Sequence, residues 1–572
     1  MAFKKYPLLG FISLASRMKQ KLPFLILFLY TIFLVNQAFS QENTEKKIDL
    51  GELHGNFQVD AQLYNPDSAI GAPPVPEKLR SNLFGNFIYT RKLGPGSFIA
   101  GVRYEAYLPA MLGFDSRYAG VGLPYRFIQY QWEGLDVTVG NFYDQFGSGM
   151  VFRSFEERNL GYDNAMDGLR IKYTLFKGIH LKGIIGLQRF FMTKGPGLVR
   201  GFDGEIDLNE TFKFMNQSKF KMSLGGSFVS KYQSDQDPLY KLPENVGIFG
   251  VRANIQYGGF TLNGEYVNKI NDPSTANNFI YRKGEALLLN AGFSVKNFGI
   301  AVSAKRVDNM NFRSDRTATG NNLSINFLPA LTRQHTYNLA ATIYPYATQP
   351  NGEMAGQVDV NYTFPRGSAL GGKYGTTLLF NYSIVNGLDT NQRNDGYGYD
   401  SPFFKIGRMP YWHDFNFQLD KKVTKEFKFS LMYMNFLYDK DVVQGLAGYG
   451  VITGHIGVLD MTLRLPKSNT LHWELQGLYA DKQKDFGHWV TGLVEFNYHS
   501  KFFVAVQDQW NAGNKDSEKR IHYLTGSAGY TLKTTRFTLT YGRQRAGIFC
   551  VGGVCRTVPA SNGLSLSITS NF

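Results

Sequence analysis

Apolar and polar residues alternate with a period of two along much of this chain. In the first such run Leu53, Phe57, Val59, Ala61 and Leu63 share one face, while Glu52, His54, Asn56, Gln58, Asp60 and Gln62 share the other. A period of two is that of an extended strand, and a face of acids and amides does not sit in a dry core. The pattern returns with Val358, Val360, Tyr362 and Phe364 against Asp359 and Asn361, and with Phe427, Phe429, Leu431 and Tyr433 against Lys428 and Ser430. Phe537, Leu539 and Tyr541 repeat it. An apolar face toward lipid and a polar face toward a wet interior is the arrangement of a transmembrane barrel.

Between the runs, short links alternate with longer polar stretches, as periplasmic turns alternate with surface loops. The short links include Glu133-Gly134, Tyr257-Gly258-Gly259, Lys296-Asn297 and Lys533-Thr534. Chain ends that both face the periplasm require an even number of strands. Reading residues 322–327 as a descending strand, with 329–332 as its turn, meets that requirement and gives about 26 strands, between about 24 and 28. The expected fold is all-β: an antiparallel up-and-down barrel over residues 51–572. Its last strand places Leu564, Leu566, Ile568 and the terminal Phe572 on one face, a pattern similar to the signal read by barrel-assembly machinery. A propeller or sandwich array would show a motif repeating every 40 to 50 residues or so, and the chain shows none.

Upstream, residues 22–35 form the one long apolar run, preceded by Lys19 and Lys21 and followed by Ala38-Phe39-Ser40. That is the plan of a cleavable secretory signal over residues 1–40, with Met18 as an alternative start. Cleavage leaves residues 41–50 as a short periplasmic segment, too short for a plug domain before the first strand. The chain carries a formal charge of +15, of which the leader accounts for five (Lys4, Lys5, Arg17, Lys19 and Lys21, with no acid through Ser40). The remaining basic residues are dispersed through the strands, which argues against nucleic acid and for lipid and lipopolysaccharide as the first partners. Phe and Tyr, 47 and 34 of the 572 residues, suit strands and interfacial rings.

Candidate chemistry falls on four long loops, 65–79, 143–167, 386–409 and 549–561. The second is dense in glycine and mixed charge, and folded inward it would narrow the lumen with Arg153, Glu156, Glu157, Arg158, Asp163 and Asp167. Inward candidates on the strands are Glu52, Asp60, Arg103, Glu105, Arg170, Lys172, Asp359 and Lys428. Two cysteines, Cys550 and Cys555, bracket Val-Gly-Gly-Val in the last loop, and in an oxidising compartment they are expected to pair. Asp389 to Gly396 lacks the ligand spacing of a calcium loop, and the nine histidines lie in no metal or triad motif. No metal, cofactor or reaction is therefore expected.

The stretch 140–168, together with 329–340 and 344–353, resembles motifs of large, mostly uncharacterised outer-membrane barrels from Bacteroidota. The resemblance implies a location and a barrel and no reaction. The function expected from the sequence is a pore or transport channel in the outer membrane of a Gram-negative bacterium, with a polar lumen narrowed by the 143–167 loop. The alternative is a non-conducting accessory barrel that binds envelope or secretion components.

Overall fold

The computed structural model describes residues 50–481, 487–551 and 554–572. The leader expected over 1–40, and residues 41–49 after it, lie outside them.

Twenty-four antiparallel strands form one sheet. The sheet closes because the first strand, Glu52–Asn65, pairs with the last, Ser561–Asn571, in a register running from Asn56 opposite Asn571 to Asn65 opposite Asn562. Closure leaves no edge strand, so the wall presents no open row of unpaired backbone groups, as a lipid environment demands. Each expected short link is a hairpin, with left-handed backbone at Glu133 (φ 45°), Gly258 (φ 56°), Asn297 (φ 67°) and Lys533 (φ 53°). Positive φ matches the right-handed twist of the paired strands.

Side chains divide as the alternation predicts. Leu475, Val506 and Tyr541 are more than half exposed on the outside, whereas Asn381, Ser383 and Gln476 are fully buried on the inside. Trp132, Phe176, Tyr257, Tyr498, Phe502 and Tyr530 are exposed on the outside of the short-turn end, where an aromatic girdle meets the membrane interface. The chain is thus a membrane β-barrel. Leu564, Leu566 and Ile568 share the lipid-facing side of the final strand.

The strand count is 24 rather than about 26 because residues 322–327 are not part of the wall. The strand Phe298–Asp308 pairs directly with Gly352–Phe364, and the whole intervening segment, 309–351, leaves the sheet. Residues 329–332 are therefore not a turn between wall strands. Within the segment the backbone is locally extended, with Arg313 bridging Ser324 and the Ile325 amide donating to the Phe312 carbonyl at 2.9 Å. Its apolar side chains Phe312, Leu323 and Ile325 are buried.

Candidate functional site: the occupied lumen

A barrel of this size has a lumen wide enough to leak unless something fills it, since sixteen to eighteen strands or so already enclose an aqueous channel. Two internal segments do the filling. One, 143–165, connects the strands Leu135–Phe142 and Met166–Phe176; the other, 309–351, connects Phe298–Asp308 and Gly352–Phe364.

The first segment is fixed by charge. Arg103 reaches Glu156 at 2.8 Å, Asp163 at 3.2 Å and Glu105 at 3.3 Å, and Arg189 reaches Glu105 and Asp163, each at 2.6 Å. Tyr143 donates to Asp163 at 3.0 Å. Arg103, Glu105, Asp163 and Arg189 are all nearly inaccessible, so each charge depends on its partners. Arg189 enters this cluster because the register shifts between Leu187 and Arg189, a bulge that leaves both Gln188 and Arg189 buried. A second anchor is Asp144, which lies 3.0 Å from Lys172 and 3.3 Å from Lys182. On a third strand, Glu265 accepts from the Ser148 amide at 2.7 Å.

The second segment crosses the lumen. At its roots Lys305 pairs with Glu353 at 2.6 Å, and Lys269 donates to the Asn311 carbonyl at 2.6 Å. Further along, Ser314 donates to Gln188 at 2.6 Å. Across the barrel Arg333 donates to Asn416 (2.6 Å) and Gln418 (3.0 Å), His335 bonds Asp414 at 2.7 Å, and the Leu339 amide donates to Gln476 at 2.9 Å. The two segments also bond to each other: Arg153 N to Ile325 O at 2.9 Å, Phe327 N to Gly149 O at 2.9 Å, and Asn164 to the Ser324 carbonyl at 2.9 Å. Arg153 is clamped between the rings of Phe155 and Phe327, 4.3 and 4.2 Å from their centroids. We call this pair of segments the plug.

Apolar packing shows that the plug is built into the fold. Met432, Met434, Phe436 and Tyr438 point inward from one strand, Ile452, Ile456 and Val458 from the next and Leu478 from the one after it. In a water-filled lumen they would be wet. Instead they form one buried cluster with Leu331, Leu339, Ile343, Tyr344 and Tyr346 of the plug. At about 1.5–3 kcal/mol for each large side chain, burial of these plug residues contributes on the order of 10 kcal/mol, an upper figure because the released segment would keep some contacts. Truncating Phe436 to Ala is expected to cost the seated plug about 3–5 kcal/mol, read as faster protease cleavage within 309–351 while the barrel stays folded.

The sequence-derived candidates separate in the structure. Arg103, Glu105, Glu156 and Asp163 come together in the buried cluster; Arg158 joins its edge through Glu156 at 3.1 Å, and Arg153 serves the contact between the two plug segments. Glu157 stays half-exposed beside them. Asp167 does not belong to the constriction. It is the second residue of its strand, so alternation turns it away from the buried Met166 and toward Arg126 (3.2 Å) and Lys194 (2.8 Å), both about half exposed on the outer side. On the wall, Arg170 donates to Thr138 at 2.9 Å, Asp60 accepts from Ser567 at 2.7 Å and Asp359 accepts from Asn381 at 2.7 Å. Glu52 and Lys428 are exposed near the short-turn end, remote from the plug clusters, because the strands there extend beyond the filled part of the lumen. Cys550 and Cys555 occupy facing backbone positions of a small hairpin in the last loop; their side chains lie outside the described residues.

Sequence reasoning missed Arg189, His335, Asp414 and the segment 309–351 as a whole. Beneath the plug lies a cavity of about 430 Å³, lined by Thr261, Ser294, Arg333, Asp359 and Asn361 together with apolar residues such as Ala301 and Leu379.

Residues 18–572 match the model of a family described as a family of unknown function, DUF6029. No curated protein matches the chain. Among solved structures it is similar to the translocation pore of the P pilus usher PapC, at 9% identity over 91% of this chain and 99% of that one, with a TM-score of 0.41. It is also similar to the siderophore receptor PirA from Pseudomonas aeruginosa (10% identity, 92% and 81% covered, TM-score 0.40). A third similarity is to the outer membrane protein OprD from the same organism (11% identity, 82% and 97% covered, TM-score 0.32).

Proposed function

Since the chain belongs to the DUF6029 family, whose function is unknown, we propose its role from the lumen: an outer-membrane conduit held shut at rest by the plug and opened only when the plug is displaced. The observation that carries this reading is the inward apolar surface of Met432, Met434, Phe436 and Tyr438, which has a cover only while 309–351 is seated. An open diffusion pore has no use for such a surface. Around it the wall contacts of the plug are mostly hydrogen bonds and ion pairs to polar side chains, such as His335 to Asp414 and Arg333 to Asn416. Polar contacts of this kind are exchangeable for water once the segment moves. Burial of that apolar surface favours the seated segment over the displaced one, so opening calls for a partner or a load that binds the displaced state more tightly.

The test is uptake in whole cells. Cells expressing the wild type are expected to exclude a large hydrophilic antibiotic as well as cells with an empty vector. Cells expressing a variant with 309–351 replaced by a short glycine–serine link are expected to become sensitive to it. Sensitivity conferred equally by the wild type would overturn the shut resting state. The accessory-barrel reading predicts instead that the seated plug is permanent and that a disulfide locking it to the wall leaves the cellular role intact.

A further inference from the structure

Below the foot of the plug, two neighbouring strands bring an unusual set of donors to one point of the lumen wall. Asp460 stands opposite Glu474 in the register of the strands Val451–Leu465 and Asn469–Ala480, and His472 stands two residues before Glu474 on the same face. One donor atom from each of the three lies within 4.8 Å of the others, and His472 Nε2 is 3.0 Å from Asp460 Oδ1. On the other side of His472 the next strand presents Glu495 in direct register, its carboxylate held by Asn497 at 2.7 Å.

Charge is out of balance there. Two carboxylates face one imidazole, and among the described residues no lysine or arginine forms an ion pair with Asp460 or Glu474. All three residues are half-buried, where an uncompensated pair of carboxylates is disfavoured and a bound cation would relieve the repulsion. The carboxylates are also held from behind: Gln476 donates to Glu474, and the Tyr337 hydroxyl lies 3.4 Å from Asp460 Oδ2. Outer hydrogen bonds of this type orient metal ligands.

We propose that Asp460, His472 and Glu474 form a binding site for a divalent first-row transition ion of the Zn²⁺ type. One imidazole nitrogen with two carboxylate oxygens suits such an ion, bound at about 2.0–2.2 Å, and suits Ca²⁺ or Mg²⁺ poorly, because those prefer oxygen alone. The position fits the reading of 309–351 as a displaceable plug, on which the consequence rests. Gln476 donates to Glu474 and at the same time accepts the Leu339 amide of the plug, while Tyr337 of the plug reaches Asp460. An ion that fixes the two carboxylates therefore fixes the two wall groups on which the plug foot stands, and its removal loosens them.

The test uses the full-length barrel, free of any affinity tag, treated with a chelator and titrated calorimetrically with Zn²⁺, Ca²⁺ and Mg²⁺. Co²⁺ absorption in the visible serves as a second readout. One Zn²⁺ per chain is expected, with Ca²⁺ and Mg²⁺ far weaker and a Co²⁺ spectrum showing nitrogen and oxygen ligation. His472→Ala and Glu474→Gln are expected to weaken Zn²⁺ by more than the roughly 10–100-fold that loss of an outer-shell partner costs, while Gln476→Leu falls within that range. Absence of stoichiometric Zn²⁺ binding, or affinity and Co²⁺ spectra unchanged in folded His472→Ala and Glu474→Gln, would overturn the site. These readouts do not depend on plug movement. A failed titration therefore removes the metal alone, whereas a failure of the plug shows in uptake.

Discussion

Replacing residues 309–351 by a short flexible link is expected to turn an electrically silent barrel into a steadily conducting one in planar bilayers. The wall should survive, because the strands Phe298–Asp308 and Gly352–Phe364 that flank the segment pair directly over their full length. Their ends on the long-loop side, Asp308 and Gly352, are register partners, so a link of a few residues joins them as a hairpin. What changes is the interior. The segment bonds to strands on opposite sides of the barrel, from Gln188 to Gln476, and with it gone a 24-stranded wall encloses more space than a porin does. Deleting only 148–160 is expected to give a smaller increase, since the longer segment still crosses the lumen. Silence from the folded variant lacking 309–351 would mean that other elements close the path.

The second large effect is expected at Arg189. Its guanidinium is almost inaccessible and is shared between Glu105 and Asp163, each at 2.6 Å. Substitution by Met keeps much of the volume and leaves the buried carboxylates with Arg103 alone. Removing one partner from a buried ion network costs about 3–5 kcal/mol, because the remaining charges keep their desolvation without their compensation. That loss falls on the seating of 143–165 rather than on the wall, whose hydrogen bonds are unaffected. The expected result is an unchanged heat-modifiability of the barrel on gels, together with faster hydrogen exchange at Ser154 and Asn164. The double variant Arg189→Met with Glu105→Gln should recover part of the loss, since it removes a stranded charge. If Arg189→Met left exchange across 143–165 unchanged, the buried network would not be what seats that segment.

Much of the wall was legible in the sequence because lipid outside and polar groups inside impose opposite demands on alternate residues. The expected hairpin at Lys296-Asn297 and the apolar side of the last strand both follow from that rule. The same rule misled at residues 322–327. Leu323, Ile325 and Phe327 do alternate with Asn322, Ser324 and Asn326, but Leu323 turns the chain with a left-handed backbone (φ 53°), the extended stretch begins only at Ser324, and Leu323 and Ile325 are buried inside the barrel instead of facing lipid. Alternation reports an extended segment with two unlike faces and does not say what covers the apolar one.

A usable signal for the plug was present in the strand Phe427–Asp439. Its outward positions Leu431 and Tyr433 are apolar, as lipid requires, yet its inward positions Met432, Met434, Phe436 and Tyr438 are apolar too. A strand that is apolar on both faces within an otherwise polar-lined barrel requires something dry inside. Arg189 was not legible, because the bulge that turns it inward changes its face by one residue without a mark in the sequence. Asp167 was misplaced for the related reason that a loop boundary one residue earlier decides which way a side chain points. The Asp460, His472 and Glu474 grouping spans two strands, and only the register brings it together.

The most direct test of the central claim is the accessibility of the wall beneath the plug. Ser383 is fully buried on the inward face of the strand Thr376–Leu388, next to Asn381 and on the side that the plug covers. A Ser383→Cys probe, in a background with Cys550→Ser and Cys555→Ser, would be exposed in outer-membrane preparations to a small, membrane-impermeant maleimide. The account predicts slow labelling in the full-length chain and rapid labelling once 309–351 is replaced by the short link. Rapid labelling of the full-length chain at the same rate would contradict it, because the lumen would then be open to water where the plug is said to sit.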